Sequence, residues 1–171
     1  MEQRNSMSKK YFPIFIDLSE KKVVVIGGGT IATRRIHTLL SFVGKITVVA
    51  PEITEELQQL QRQGNIEWVQ ELYHVSWLER ADMVIAATNQ PTVNQQVKSD
   101  CQRIEKESGR HILVSVIDDR ELCDFYFPSI VQSEDIVIGI NTGGKPALTK
   151  QIRKEIEEYL KCKSIYECWN L

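Results

Sequence analysis

Three consecutive glycines, Gly27-Gly28-Gly29, followed by Thr30-Ile31-Ala32, satisfy the spacing G-x-G-x-x-G/A with Ala32 in the third small position. Each small residue has a mechanical job there. Gly27 permits a tight turn, Gly29 lets backbone approach a pyrophosphate, and Ala32 lets a helix pack closely on a sheet. A helix opening at Thr30 and Ile31 turns its unpaired N–H groups and positive dipole toward the phosphates. This chemistry is dinucleotide binding. About 20 residues further on, such sites place an Asp or Glu on the adenosine ribose. Here Ala50-Pro51 holds that place, with Glu52 just beyond, and no Arg follows until Arg62. Nothing obvious meets a 2′-phosphate, so NAD is expected over NADP, with Pro51 and Glu52 beside the ribose. Thr88-Asn89 ends a later apolar run, where such sheets present loop groups to the cofactor, although Thr-Asn-x-Pro is equally good turn chemistry.

The elements that position these residues follow from apolar periodicity. Lys22-Val23-Val24-Val25-Ile26 is a near-continuous apolar run, as expected of a strand buried on both faces. A helical pattern predicts a helix over 30–43, with Gly44 at its C-terminal end. Further strands are expected at 45–50, 66–69, 83–87 and 112–117. Helices are expected at 54–63, closed by Gly64, and at 91–107. This alternation predicts an α/β fold, a Rossmann-like doubly wound parallel sheet with helices on both faces.

After Asp124 the rhythm changes. Strand-like runs at 129–132 and 136–140 flank the polar turn Ser133-Glu134-Asp135, and a helix is expected over 147–160. The expected organisation is a disordered leader over 1–10, a nucleotide-binding domain over 11–124 and a small C-terminal α+β dimerisation and substrate module over 125–171. The last dozen residues read as weakly structured.

With 171 residues, 42% apolar and 26% charged, the composition is that of an ordinary globular protein. A formal net charge of -2 supplies no global basic field for nucleic acid or an anionic membrane. The N-terminus has no secretory pattern, and a cytoplasmic location is expected. Cys101, Cys123, Cys162 and Cys168 form no C-x-x-C pair and read as free thiols. His37, His74 and His111 lack metal-ligand spacing, so no metal is expected.

The segments Phe12-Pro13-Ile14-Phe15, VVVIGGGTIATRR, ITVVAPE, AATNQPTVNQQV, SVIDDRELCDFYFPSIV and INTGGKPAL follow one another in a familiar order. Over 11–160 the chain resembles the N-terminal domains of siroheme synthases, which are precorrin-2 dehydrogenases. Some of these double as sirohydrochlorin ferrochelatases. The resemblance implies NAD-dependent oxidation of precorrin-2 to sirohydrochlorin. It also implies a homodimer, with the glycine-lysine segment and the final helix near its interface. The family's catalytic aspartate matches Asp118 in Ser115-Val116-Ile117-Asp118, and the neighbouring Asp119 reads as a turn residue. A carboxylate at the end of a central strand suits a base opposite a hydride acceptor.

By the same resemblance, substrate binding falls to Asn141, Thr142, Gly143, Gly144 and Lys145. The chain departs from the family pattern at Ser115, where an asparagine is usual, at Asn141, and at the adjacent Lys145-Pro146. It is also shorter after Leu160 than many relatives. A tetrapyrrole polycarboxylate would meet basic groups. Arg34, Arg35, Lys145, Lys150 and Arg153 are candidates, though each alone reads as solvated surface. The alternative is an NAD-sensing regulatory domain, but such domains keep the acidic residue that this second strand lacks. A nicotinamide oxidoreductase with a small substrate is the other rival.

Overall fold

A computed structural model describes residues 12–162. The expected leader, and most of the expected weak C-terminal stretch, lie outside the described residues. Five strands, β1 (Lys22–Ile26), β2 (Lys45–Val49), β3 (Glu67–Val69), β4 (Met83–Ala86) and β5 (Leu113–Val116), form one sheet in the order β3-β2-β1-β4-β5. Every pairing within it is parallel. The adjacent strands β1 and β4 are the most apolar because both of their faces are covered. Val23 to Ile26 and Met83 to Ala86 are all buried.

Helices α1 (Thr30–Leu39) and α2 (Glu55–Arg62) cover one face, where Ala32, Ile36, Leu39, Leu57 and Leu60 join Val23, Val25, Val48 and Ile85. Helix α3 (Pro91–Ser108) and a 3₁₀ turn at Val75–Leu78 cover the other, with Val97, Cys101 and Leu78 against Val24, Val84 and Val114. The sheet is doubly wound, as its alternation predicts. Local chemistry sets the ends of the helices. The Thr54 hydroxyl caps α2 by accepting from the Leu57 N–H. Pro91 opens α3, and Gly109, at φ 70°, closes it in the left-handed conformation.

Helix α1 differs from expectation by ending at Leu39 rather than Val43. Gly44 is therefore no helix terminator, and its φ is not positive. A Cβ there would lie 2.5 Å from the Ser19 carbonyl oxygen, so the glycine permits two backbone segments to touch before β2 begins.

The described chain divides into two compact units, one over 17–127 and one made of 12–16 with 128–162. In the smaller, β6 (Ser129–Ser133) and β7 (Ile136–Ile140) form an antiparallel hairpin. Helix α4 (Pro146–Cys162) packs on it, chiefly on β6, and Val131 and Ile140 are buried.

Candidate nucleotide site and carboxylate loop

Strands β1, β4 and β5 end in register, Ile26 opposite Ala86 and Ala86 opposite Val116. Their following loops therefore share the C-terminal edge of the sheet, where ligands of open α/β folds bind.

The glycine loop leaves β1 at that edge. Gly27 adopts φ 115°, and a Cβ on it would sit 2.3 Å from the Ala87 carbonyl oxygen. Only glycine meets both conditions. Gly28 is equally confined, because its Cβ would lie 2.3 Å from the Glu52 carbonyl oxygen, and its own carbonyl accepts from the Thr54 N–H at 3.0 Å. The Pro51-Glu52 corner is thus brought against the loop, with both residues exposed. Gly29 is the opposite case. A Cβ there would meet nothing within 4 Å. Gly29 is also the N-cap of α1, which has no side-chain cap and no acidic residue in its first turn. Open space above backbone at an uncapped, unneutralised helix N-terminus is what a pyrophosphate requires, so these residues fit a dinucleotide. Ala32 is fully buried and lets α1 lie close on the sheet. Thr30 lines a cleft of about 320 Å³ between α1 and α2, together with Thr33, Arg34, His37, Thr54 and Glu56.

At the end of β4, Thr88 is engaged by Asn94, a wholly buried side chain on α3. The Asn94 Oδ1 accepts from the Thr88 N–H at 3.1 Å and lies 2.8 Å from its hydroxyl, while Asn94 Nδ2 donates to the Thr88 carbonyl at 3.1 Å. The Thr88 side chain shapes the loop. Asn89 is exposed and has no side-chain partner among the described residues.

Beyond β5, Ile117 donates to the Ala86 carbonyl at 3.1 Å and continues the edge. Asp118 follows, exposed and without a hydrogen bond or ion pair among the described residues. It stands two strands from Gly27, roughly 10 Å at ordinary strand spacing. Asp119 turns back, its Oδ1 accepting from the Glu121 N–H at 2.9 Å to cap the 3₁₀ turn Arg120–Leu122.

Sequence reasoning missed what holds this loop. Strand β5 is the last of its sheet, and side chains satisfy its outer edge. Asp124 Oδ2 accepts from the Val114 N–H at 2.8 Å, and the Asp124 N–H donates to the Val114 carbonyl at 2.9 Å. The Cys123 thiol lies 3.2 Å from the Val116 nitrogen, which donates to it, and donates in turn to the Val116 carbonyl at 3.1 Å. Lys98 on α3 anchors Asp124 at 2.6 Å, its own side chain only 10% exposed. A buried lysine on the apolar face of α3 is the one trace of this clamp in the sequence. Cys101, buried nearby, has its thiol pushed up to about 12 by burial, which rules it out as a nucleophile near neutral pH.

Arg35 also departs from its expected solvated reading. It is half-buried, with its guanidinium carbon 4.5 Å from the centre of the Phe127 ring. Its Nε is buried without a hydrogen-bond partner. Burial, then the neighbouring Arg34, lower its pKa.

In the smaller unit, residues 141–145 form the entry to α4. Asn141 Oδ1 accepts from the Gly143 N–H at 2.9 Å, Gly143 and Gly144 have φ of 64° and 91°, and the Thr142 and Thr149 hydroxyls are hydrogen-bonded. Lys145 is exposed. The glycine loop, Glu52, Thr88 and Asp118 belong to one unit and this segment to the other.

Known proteins resemble this chain in both sequence and structure. A siroheme synthase of Photorhabdus laumondii is 38% identical over 151 residues, covering 88% of this chain and 31% of that protein. A siroheme synthase of Zymomonas mobilis is 36% identical with the same coverage. The chain thus spans about a third of the length of these relatives. Among solved structures, SirC, a precorrin-2 dehydrogenase, superposes with a TM-score of 0.71 at 27% identity, covering 92% of this chain and 78% of that one. Residues 14–129, which contain the glycine loop, the Pro51-Glu52 corner and the Asp118 loop, match a family described as "Putative NAD(P)-binding". The match takes in most of the chain and the whole edge that fits a dinucleotide, so this chain belongs to that NAD(P)-binding family.

Proposed function

We propose that this chain is a precorrin-2 dehydrogenase, oxidising precorrin-2 to sirohydrochlorin with NAD. The observation that carries the reading is the unpaired carboxylate of Asp118 on the same sheet edge as the glycine loop. A free carboxylate there is available as a base, and none of the described residues competes for it. When bound, NAD supplies the hydride acceptor. The oxidation removes one hydride and one proton, leaving a new double bond in the macrocycle. Asp118 takes the proton and returns it to solvent. Gly27 and Gly28 fix the course of the loop. Gly29, Thr30, Ile31 and Ala32 present backbone N–H groups to the pyrophosphate. Pro51 and Glu52 flank the ribose, Glu52 offering an acceptor and no cation for a 2′-phosphate, which favours NAD over NADP. Thr88 and Asn89 line the neighbouring loop.

Asn141, Thr142, Gly143, Gly144 and Lys145 are assigned to substrate binding. The protein acts as a cytoplasmic homodimer through its smaller unit. Supporting that, the unit exposes Phe12 (88%), Phe15 (77%) and Tyr159 (58%), more apolar surface than a short segment and helix normally leave in water. The similarity to siroheme synthases and to a precorrin-2 dehydrogenase supports the substrate.

The test is direct. Purified protein mixed with precorrin-2 and NAD should form NADH and sirohydrochlorin in equal amounts, read by their absorbance, and NADP should work poorly. Absence of NADH formation by folded protein overturns the reading.

A further inference from the structure

Among the described residues, Arg35 is a cation without an anion. It makes no ion pair and no hydrogen bond, its Nε is sealed from solvent, and its guanidinium rests on the Phe127 ring. Most exposed cations are left to water, where they cost nothing. Arg35 is half-buried instead, and Arg34 beside it adds repulsion rather than relief. Buried polar groups left unsatisfied in a native fold call for an explanation. A salt bridge does not supply it, because the acidic side chains of this region are otherwise disposed. Asp124 is spent on Lys98 and Val114, Asp119 caps its own turn, and Asp118 forms no ion pair with Arg35 or with any other described residue.

The placement of Arg35 narrows the role. It follows Ile31 by four residues on α1, so the two share a face, and Ile31 is an exposed apolar side chain (44%) in the first turn beyond the glycine loop. The Phe127 ring that carries the guanidinium belongs to the segment returning from the Asp118 loop, and the Cys123 thiol that clamps that loop lies close enough to feel the Arg35 charge. Arg35 is therefore tied to both loops, by its place on the helix that follows the glycine loop and by its guanidinium over the Phe127 ring. A planar fork of donors in a fixed orientation matches a carboxylate in two-point contact.

We infer that Arg35 is a recognition residue for a carboxylate of the macrocyclic substrate. It receives the anion on the guanidinium that Phe127 holds in place. The inference rests on the function proposed above. It adds a site on α1 to the residues assigned from resemblance.

The experiment measures equilibrium binding without turnover. Sirohydrochlorin, a polycarboxylate, and its fully methylated ester are titrated into wild-type protein, Arg35→Gln and Arg35→Lys, following the visible spectrum, and NAD affinity is measured separately. Arg35→Gln should bind the acid about 10- to 100-fold more weakly, the range for losing a hydrogen-bonded ion pair, while binding the ester and NAD as wild type does. Arg35→Lys keeps the charge without the fork and should fall between. It also carries the test if the glutamine variant does not fold. Unchanged binding of the acid overturns the inference. Equal losses for acid and ester overturn it as well, since Arg35 would then only pack on Phe127, and a loss of NAD affinity would assign it to a cofactor phosphate. Wild-type protein that binds the acid through Arg35 yet forms no NADH from precorrin-2 sinks the proposed reaction and leaves the carboxylate site standing. Failure of wild type to bind either macrocycle sinks both.

Discussion

Two loops on the same edge of the sheet are built by opposite means. After β1, the chain is backbone that excludes side chains, since a methyl group on Gly27 or Gly28 would run into a neighbouring carbonyl at 2.3 Å. After β5, side chains stand in for backbone, with Cys123 and Asp124 supplying the hydrogen bonds that a sixth strand would have made. The first loop makes a surface on which a ligand can lie. The second holds a chain segment firmly and leaves the Asp118 carboxylate without a partner among the described residues. A general base needs that combination of fixed backbone and unengaged carboxylate.

The largest effect expected from breaking this contrast is at Asp118. Asp118→Asn keeps the size of the side chain but cannot accept the proton. Under single-turnover conditions the oxidation rate should fall by roughly 10²–10⁴-fold, about 3–5 kcal/mol of barrier. Because the carboxylate has no partner to lose among the described residues, melting temperature and NAD affinity should stay at wild-type values. A wild-type rate would mean that solvent or the substrate's own carboxylates take the proton.

The clamp comes next. Asp124→Ala leaves the Val114 N–H and the nearly buried Lys98 ammonium without their acceptor. At about 1–3 kcal/mol for each of these two orphaned groups, the protein should lose about 2–6 kcal/mol of stability in a denaturant titration. Turnover by the protein that remains folded should also drop, since the backbone carrying Asp118 is no longer tied. Loss of stability with an unchanged rate would show that the clamp serves the fold alone.

The glycines give a sharper and smaller contrast. Gly28→Ala forces a methyl group onto the Glu52 carbonyl and should cost about 1–3 kcal/mol of stability. Gly29→Val puts its Cβ in open space and should cost no more than about 1 kcal/mol, the loss of a glycine N-cap. That same space is the proposed pyrophosphate site, so Gly29→Val should abolish NAD binding by calorimetry. If a folded Gly29→Val protein keeps its NAD affinity, the phosphates lie elsewhere.

The same contrast decides what could be read from the sequence. The glycine loop was legible because its requirement is local: three small residues at fixed spacing between a strand and a helix carry their meaning within six positions. The strands and helices were legible from apolar runs and capping residues. Helix α1 ended early, and Gly44 proved to serve contact with Ser19, because a close approach between distant backbone segments has no local signature. The β5 clamp was hidden for the same reason. Asp124 and Cys123 act on residues 7 to 10 positions away and on a lysine 26 positions away. Asn94 reads as an ordinary helix residue until the fold buries its amide against Thr88. Arg35 needed Phe127, 92 positions later, to become more than a surface charge.

The smallest effect belongs to the second aspartate, and it tests whether the two neighbours divide their labour as the hydrogen bonds indicate. Asp119 caps the 3₁₀ turn through one oxygen, at 2.9 Å from the Glu121 nitrogen. An asparagine offers the same carbonyl oxygen to the same N–H and ranks with aspartate as a cap. Asp119→Asn should therefore change stability by no more than a few tenths of a kcal/mol and leave the single-turnover rate at wild type. Asp119→Ala removes the acceptor and should cost about 1 kcal/mol of stability, again with little effect on the chemical step. If instead Asp119→Asn slows oxidation as Asp118→Asn is expected to, the base is shared or misassigned, and the free carboxylate of Asp118 is only a solvated residue on the way into the turn.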